Sequence, residues 1–470
     1  MCPNAGNLSN NFSMKVMNKS MQIKCLMLLV LSMFLAASYA QTKRRGNESP
    51  VKGRYIVLMK SSFETPLVLE AAGDDRMGKH EKVNDKRNAK ADKVRGFYKK
   101  FGIEENRTKI FADLVVGFSV SGVDATMLGK LKNDPNVAGV YQDFTVQFVD
   151  PIFQSDPIFQ SDPVFPADPI FQSDNTAPAD PIFQSDPTAI ADPIFQQYEL
   201  DAKTRQTAAV RIAGGSTNGA GKSSGIWFLD TGIDSLHPDL NVESNPLLAR
   251  SFVDGFESRT VMDFNGHGTH CAGIAAAKDD SRGVTGVSAG ARVIPVKVLD
   301  SLGRGSWTDV LQGLNHVAKY SLNGDVVNIS LGGYDSANSA TSDPAPAIME
   351  ALKNLTSKGV YVSMSAGNNR GNAIYNLPGL LNGNNIYTTA AIKSDLQFDD
   401  RYSNTGSPIN KVSVGTSVFS TWPRKGYCSK TGTSMASAVT AGALHAGNGK
   451  LVQGQTVTFG GRTYTIAKWR

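Results

Sequence analysis

A proline stands at nearly every sixth position between Pro151 and Pro193, and no folded core can run through such a stretch. Asp-Pro pairs begin at Asp150, Asp156, Asp162, Asp168, Asp180, Asp186 and Asp192, mostly as Asp-Pro-Ile-Phe-Gln-Ser. Each proline lacks a backbone donor and clashes with the preceding helical turn, so a continuous helix is excluded and any sheet ladder is broken. The period is far below the roughly 20 residues that a solenoid unit needs to bury a face. Residues 150–197 therefore read as an extended, semi-rigid linker. Its recurrence has two readings: a spacer grown by duplication, or a docking or processing segment carried by Ile-Phe-Gln.

Two further signals organise the 470 residues. Lys15, Lys19 and Lys24 precede an apolar run from Cys25 to Ala37, followed by Ser38-Tyr39-Ala40. A basic segment, a short apolar core and small residues describe a secretory signal peptide over residues 1–40, with cleavage expected after Ala40. No later stretch approaches the ~18 apolar residues of a membrane span, so a secreted, extracellular product is expected. Cys271 and Cys428 then remain, and whether they meet is not set by the sequence. A net charge of +6 with 41% hydrophobic residues is a globular, mildly basic balance that does not argue for nucleic acid.

Residues 41–149 hold a strand-like Arg54 to Met59, a charged helical segment from Lys79 to Lys100 and an apolar run from Ile110 to Val120. A second helix around Leu128 and Leu131 and closing strands from Val137 to Val149 complete a small α+β unit. Residues 198–470 alternate apolar strands with amphipathic helices. The strands are Ile226 to Leu229, Arg292 to Val298, Val326 to Ile329, Tyr361 to Ser365 and Ile386 to Ala391; the helices are Gly268 to Ala277, Ser306 to Tyr320 and Pro346 to Ser357. The fold class expected is α/β, a mainly parallel sheet flanked by helices, with ligands bound beyond the carboxyl ends of the strands.

Three segments carry chemistry there. Asp230 ends an apolar strand in Leu229-Asp230-Thr231-Gly232. His267 lies in Asn265-Gly266-His267-Gly268-Thr269-His270 at a helix start, and Ser434 follows a glycine in Thr431-Gly432-Thr433-Ser434-Met435-Ala436. Singly, each has a plain alternative: a strand-end cap, a pair of metal-ligating histidines without further ligands, or a helix N-cap. Together they run Asp…His…Ser.

These segments resemble the three signatures of the subtilisin-like serine proteases, and the chain order is one the family uses. The resemblance implies a secreted serine endopeptidase in which Ser434 is the nucleophile, His267 the general base and Asp230 its orienting partner. Asn368, in Ala366-Gly367-Asn368-Asn369, and the Ser434 N–H would form the oxyanion hole. Leu302-Gly303-Arg304-Gly305 and Ser330-Leu331-Gly332 resemble the edges that sandwich an extended peptide, with Gly303, Gly305, Ser330, Leu331 and Gly332 as binding residues. Asp263 has two readings, a contact favouring basic substrates and a solvated loop charge. Residues 41–149 resemble the inhibitory propeptide, an intramolecular partner besides protein or peptide substrates, in a monomeric zymogen without stable membrane insertion. No cofactor or metal is implied for the chemistry. Calcium commonly supports the family, but no contiguous ligand loop is legible. Cys271 is similar to a cysteine of the proteinase K branch, with a buried structural role.

The chain departs from the family pattern after Ala446, where a Gly-rich, strand-like tail replaces the usual helix; the expectation is uncovered apolar sheet surface. The competing functional class is a catalytically silent protein that kept the fold for binding. A third reading makes the repeats an envelope-docking module.

Overall fold

The computed structural model describes residues 49–61, 80–148, 200–334 and 344–470. The expected signal segment and the repeats lie outside the described residues.

The first block forms β1 (Pro50–Met59), α1 (His80–Lys99), β2 (Thr108–Phe111), β3 (Gly117–Val120), α2 (Ala125–Lys132) and β4 (Val137–Gln147). The strands make an antiparallel sheet in the order β4-β1-β3-β2. Side chains alternate along a strand, and β1 uses both faces. Val57 and Met59 pack with Phe97, Tyr98 and Leu131 of the block's own core. Ile56 and Leu58 join a cluster with Trp307, Leu311 and Leu314 of the second block. The apolar run from Ile110 is thus split: β2 and β3 flank a turn whose Leu114 and Val115 also enter that shared cluster.

The second block contributes β5 (Ile226–Asp230), α3 (His267–Ala276), β6 (Arg292–Lys297), β7 (Arg304–Ser306), α4 (Trp307–Tyr320), β8 (Val326–Ile329), α5 (Ala345–Thr356), β9 (Tyr361–Ser365) and β10 (Ile386–Ile392). β11 (Lys411–Val414), β12 (Val418–Trp422), β13 (Gly426–Lys430), α6 (Thr433–Ala446), β14 (Thr456–Phe459) and β15 (Arg462–Thr465) follow. The main sheet runs β11-β10-β9-β8-β5-β6, all parallel, with short strands Asn241–Val242 and Arg250–Ser251 beyond β6. Its central strands are buried along their whole length, as strands covered on both faces must be. The chain goes from β5 to β6 on one side, then returns to β8 on the other. That reversal opens a crevice beyond the carboxyl ends of β5 and β8.

The first block docks on α4 and α5. Asp113 N and Leu114 N both donate to Asn315 Oδ1 at 2.9 Å, and Asn354 Nδ2 donates to Leu114 O at 2.6 Å. Asp143 is fully buried and accepts from Thr308 N and Thr308 Oγ1 at 3.3 and 2.7 Å. It therefore faces the N-terminus of α4, where backbone donors are otherwise unpaired. Finally, β7 adds to the edge of β4, so the small sheet gains a fifth strand from the other block.

The tail corrects the expectation of uncovered sheet. β14 and β15 form a hairpin through Gly460 and Gly461, both at positive φ (57° and 74°), the conformation a two-residue turn demands. Ile466 bridges Val412 of the edge strand β11. Val457, Tyr464 and Ile466 enter the same core as Phe398, Val412 and Val414, and Phe398 stacks on Phe459 at 4.6 Å. An amphipathic hairpin does the covering that a helix would do.

Two outcomes are expected. Tyr464→Ala, measured by urea unfolding of the Ser434→Ala chain to prevent autolysis, should lose about 3 kcal/mol. Burial, with Asp309 adding to it, pushes the Asp143 carboxyl up to about 6 against the Thr308 hydrogen bonds and Arg54. A carboxyl raised above its unfolded value favours folding below that value and loses the advantage as pH rises through the folded one. Asp143→Asn should therefore gain stability relative to the parent between about pH 4 and 6, by up to about 3 kcal/mol, read as diverging urea midpoints.

Candidate active site

β5 delivers Asp230 to the crevice, and α3 begins at His267. Gly266 caps that helix at φ 113°, where an added Cβ would strike the Trp422 ring, so only glycine fits. His267 Nδ1 lies 2.8 Å from Asp230 Oδ1, with both side chains essentially sealed from solvent. Since Asp230 accepts there, the imidazole carries its hydrogen on Nδ1 and presents the Nε2 lone pair. Asp230 Oδ1 also accepts from Thr231 N at 2.7 Å. His267 Nε2 is buried without a hydrogen-bond partner among the described residues.

Ser434 opens α6 behind Gly432. Its carbonyl accepts from Ser437 Oγ at 2.9 Å and from Ser330 Oγ at 3.3 Å. Cys271 Sγ lies 3.9 Å from the same oxygen and close to Asp230 and His267, which ties the serine to the histidine helix. Ser434 Oγ itself donates to Ser330 O at 3.3 Å. Asn368 Oδ1 accepts from Thr433 N and Thr433 Oγ1, both at 2.8 Å. Those two bonds fix the amide's orientation and make Nδ2 the end able to donate toward a substrate.

The groove residues are also brought together, and they are filled. Gly305 pairs with Val146 across β7 and β4. Gln147 N donates to Gly332 O at 3.4 Å, and Gly332 N donates to Gln147 O at 3.0 Å. The end of the first block thus runs as the central strand between the two predicted edges. Val146 is fully buried in the cluster containing Trp307 and Leu331. Phe148 lies against Gly303 and stacks on His267, with ring centroids 4.4 Å apart and planes 13° apart. The Ser330 side chain is occupied elsewhere: its Oγ is buried beneath α6, 2.8 Å from Ser437 Oγ and 2.7 Å from Asn328 Nδ2.

Asp263 fits neither of its two sequence readings. It is 3% exposed, and its Oδ1 accepts from Thr231 Oγ1, Asn265 N and Gly266 N at 2.9, 3.0 and 2.7 Å. Its Oδ2 accepts from Thr269 N and Thr269 Oγ1 at 2.9 and 2.7 Å. One carboxylate clamps the Asp230 turn to the His267 helix. Beneath them the fully buried Lys297 pairs with Glu257 at 2.8 Å and donates to Thr231 O. His270 takes no part; its Nε2 turns to Cys428 O at 3.1 Å, and burial holds its pKa down to about 3. Cys271 and Cys428 are not joined by a disulfide.

An Asp–His pair, a helix-start serine tied to the histidine helix and a groove that pairs with extended chain are the parts that a serine hydrolase of peptide bonds uses. Residues 221–446 match the model of the subtilase family, Peptidase_S8. The chain is 34% identical over 231 residues to the major intracellular serine protease of Bacillus subtilis (strain 168), spanning 48% of this chain and 68% of that protein. It is 36% identical to thermitase of Thermoactinomyces vulgaris, over 47% of this chain and 74% of that one. Against subtilisin DY of Bacillus licheniformis it is 34% identical, over 46% and 74%. The chain belongs to the subtilase family and is a serine endopeptidase.

Asp263→Asn turns an N–H₂ toward groups that themselves donate. It should cost about 2–4 kcal/mol by urea unfolding and lower kcat more than it raises KM, because the Asp230 turn and the His267 helix lose their common anchor.

Proposed function

We propose that Asp230, His267 and Ser434 form the catalytic triad of a secreted, self-processing zymogen. The observation that carries this reading is the tail Thr145–Gln147, paired on both sides in the groove and ending with Phe148 on the catalytic imidazole. In this precursor state Ser434 Oγ turns to the Ser330 carbonyl, so activation requires Phe148 to leave and Ser434 to rotate toward His267 Nε2. Ser434 Oγ then attacks the scissile carbonyl while its proton passes to His267 Nε2. Asp230 keeps the imidazole in the required tautomer and stabilises the imidazolium. The oxyanion is received by Asn368 Nδ2 and the Ser434 N–H, the latter lying in the first turn of α6 where no intrahelical acceptor exists. His267 returns the proton to the leaving amine, and water releases the acyl group by the reverse path.

Substrates are proteins or peptides in extended form, bound by backbone pairing to Gly305 and Gly332. Residues 41–149 act as the intramolecular inhibitor, and residues 1–40 direct export. Among the described residues no helix is long and apolar enough to cross a membrane. The family needs no cofactor for its chemistry. Calcium supports many subtilases, and Asp239, whose Oδ1 is buried with no hydrogen-bond partner among the described residues, would offer it one acceptor. Burial, with Asp280 adding to it, pushes that carboxyl up to about 8; a bound cation would reverse the penalty.

A fluorophosphonate probe should add once to the purified protein, on a product lighter than the precursor by intact mass. Ser434→Ala should stay full length and unlabelled; a processed wild-type protein that takes no label would refute the enzymatic role of Ser434. Asn368→Leu should lose about 10²–10³-fold in kcat, the range established in subtilisin for one such donor, with KM little changed.

A further inference from the structure

The groove asks for little from its occupant, and what it asks for recurs down the linker. Val146 supplies a fully buried aliphatic side chain. Gln147 supplies both backbone hydrogen bonds to Gly332 while its side chain stays half-exposed. Thr145 pairs with Ser306 in register, yet its N–H donates to Ser49 O of its own block at 2.9 Å. The backbone N–H that a proline in that place would lack is therefore one spent on the first block itself. Downstream the sequence continues Val149-Asp150-Pro151.

Aligned on Asp-Pro, the repeats match these demands. Ile152-Phe153-Gln154-Ser155-Asp156-Pro157 puts an aliphatic residue in the place of Val146, and Pro151 before it falls in the place of Thr145. Phe153 then falls at the half-exposed position, where only its backbone is used. Ile158, Val164 and Ile182 stand at the same distance before an Asp-Pro pair. The one weaker match is Gln154 in the place of Phe148, which offers an alkyl stem rather than a ring to stack on His267.

We propose that the Asp-Pro repeats are tandem, weaker copies of the groove-binding tail, which re-occupy the same groove after the first cut and are themselves hydrolysed in turn. The inference rests on the protease reading above. Each step is ordinary hydrolysis: the peptide C–N bond breaks, water supplies hydroxyl to the carbonyl carbon and a proton to the amine. Some 48 residues from Asp150 to Gln197 can extend to roughly 160 Å at ~3.4 Å per residue, several times the width of a domain this size. The linker then acts as a tethered competitor whose local concentration falls only as its copies are removed, so that release of activity is graded rather than a single event.

The test uses the full-length chain and the mature enzyme derived from it. Intact masses during maturation should show intermediates spaced by one six-residue unit. A synthetic peptide spanning Pro151–Pro157 should compete with casein hydrolysis. The same peptide with Ile152→Asp should compete at least tenfold more weakly, and with Gln154→Phe several-fold more strongly. If casein is hydrolysed but the Ile152→Asp peptide matches its parent, or neither competes and no six-residue ladder forms, the repeat proposal is overturned and the protease reading stands. If casein is not hydrolysed at all, both fall.

Discussion

The Asp263 carboxylate is the fixed point from which the site is built. Five donors converge on its two oxygens, three of them backbone groups from the loop and first turn that present His267. A buried charge is tolerated only when its lone pairs are filled, and this one is filled from both of the segments that must meet. Thr231 and Thr269 act as the pins. Thr231 Oγ1 donates to Asp263 and accepts from Gly268 N at 3.0 Å, while Thr269 Oγ1 donates to Asp263 and accepts from Asp234 N at 3.0 Å. The 2.8 Å contact between Asp230 and His267 is thereby set by a network that neither residue belongs to. Hydrogen bonds to a charged group contribute about 1.5–3 kcal/mol each, so the turn and the helix cannot drift apart cheaply.

The first block depends on a second constraint, the alternation of β1. A strand that buries Val57 and Met59 on one face and Ile56 and Leu58 on the other has no solvent face. Its outer residues need α4 and α5 as much as its inner ones need Phe97 and Leu131. The block is therefore half a structure when detached, and its fold and its docking share one set of side chains. Asp143 adds direction, since its place at the N-terminus of α4 fixes where β4 ends and aims Val146 and Phe148 into the groove.

Much of this was legible. The five apolar runs of the second block became β5, β6, β8, β9 and β10 within a residue or two, because strands buried on both faces leave an unbroken apolar signature. Asp230, His267, Asn368 and Ser434 could be singled out as candidates because glycine-bounded turns at strand ends and helix starts are local features. What escaped is non-local. Asp263 carries no mark in sequence of the donors from Thr231 and Thr269 that fill it. Leu114 and Val115 look like any apolar run, and only the docked partner says which core receives them. The tail was misjudged for a different reason: Phe459-Gly460-Gly461-Arg462 is a local hairpin signal, but its covering role requires knowing that Val412 and Phe398 lie beneath it.

The filled groove connects these constraints to regulation. In the proposed zymogen, substrate and tail would compete for the same backbone groups of Gly305 and Gly332, so affinity for one could not be raised without raising it for the other. The precursor escapes this symmetry by adding contacts that no substrate has: Asn315 and Asn354 on Leu114 and its neighbour, and Thr308 on Asp143. Those contacts lie outside the groove and vanish together when the block departs. Under the zymogen proposal, inhibition would be tight while the block is docked and weak once a bare groove-binding segment is all that remains. If the repeats bind the groove as proposed, the chain would pass through that weaker regime before it reaches full activity.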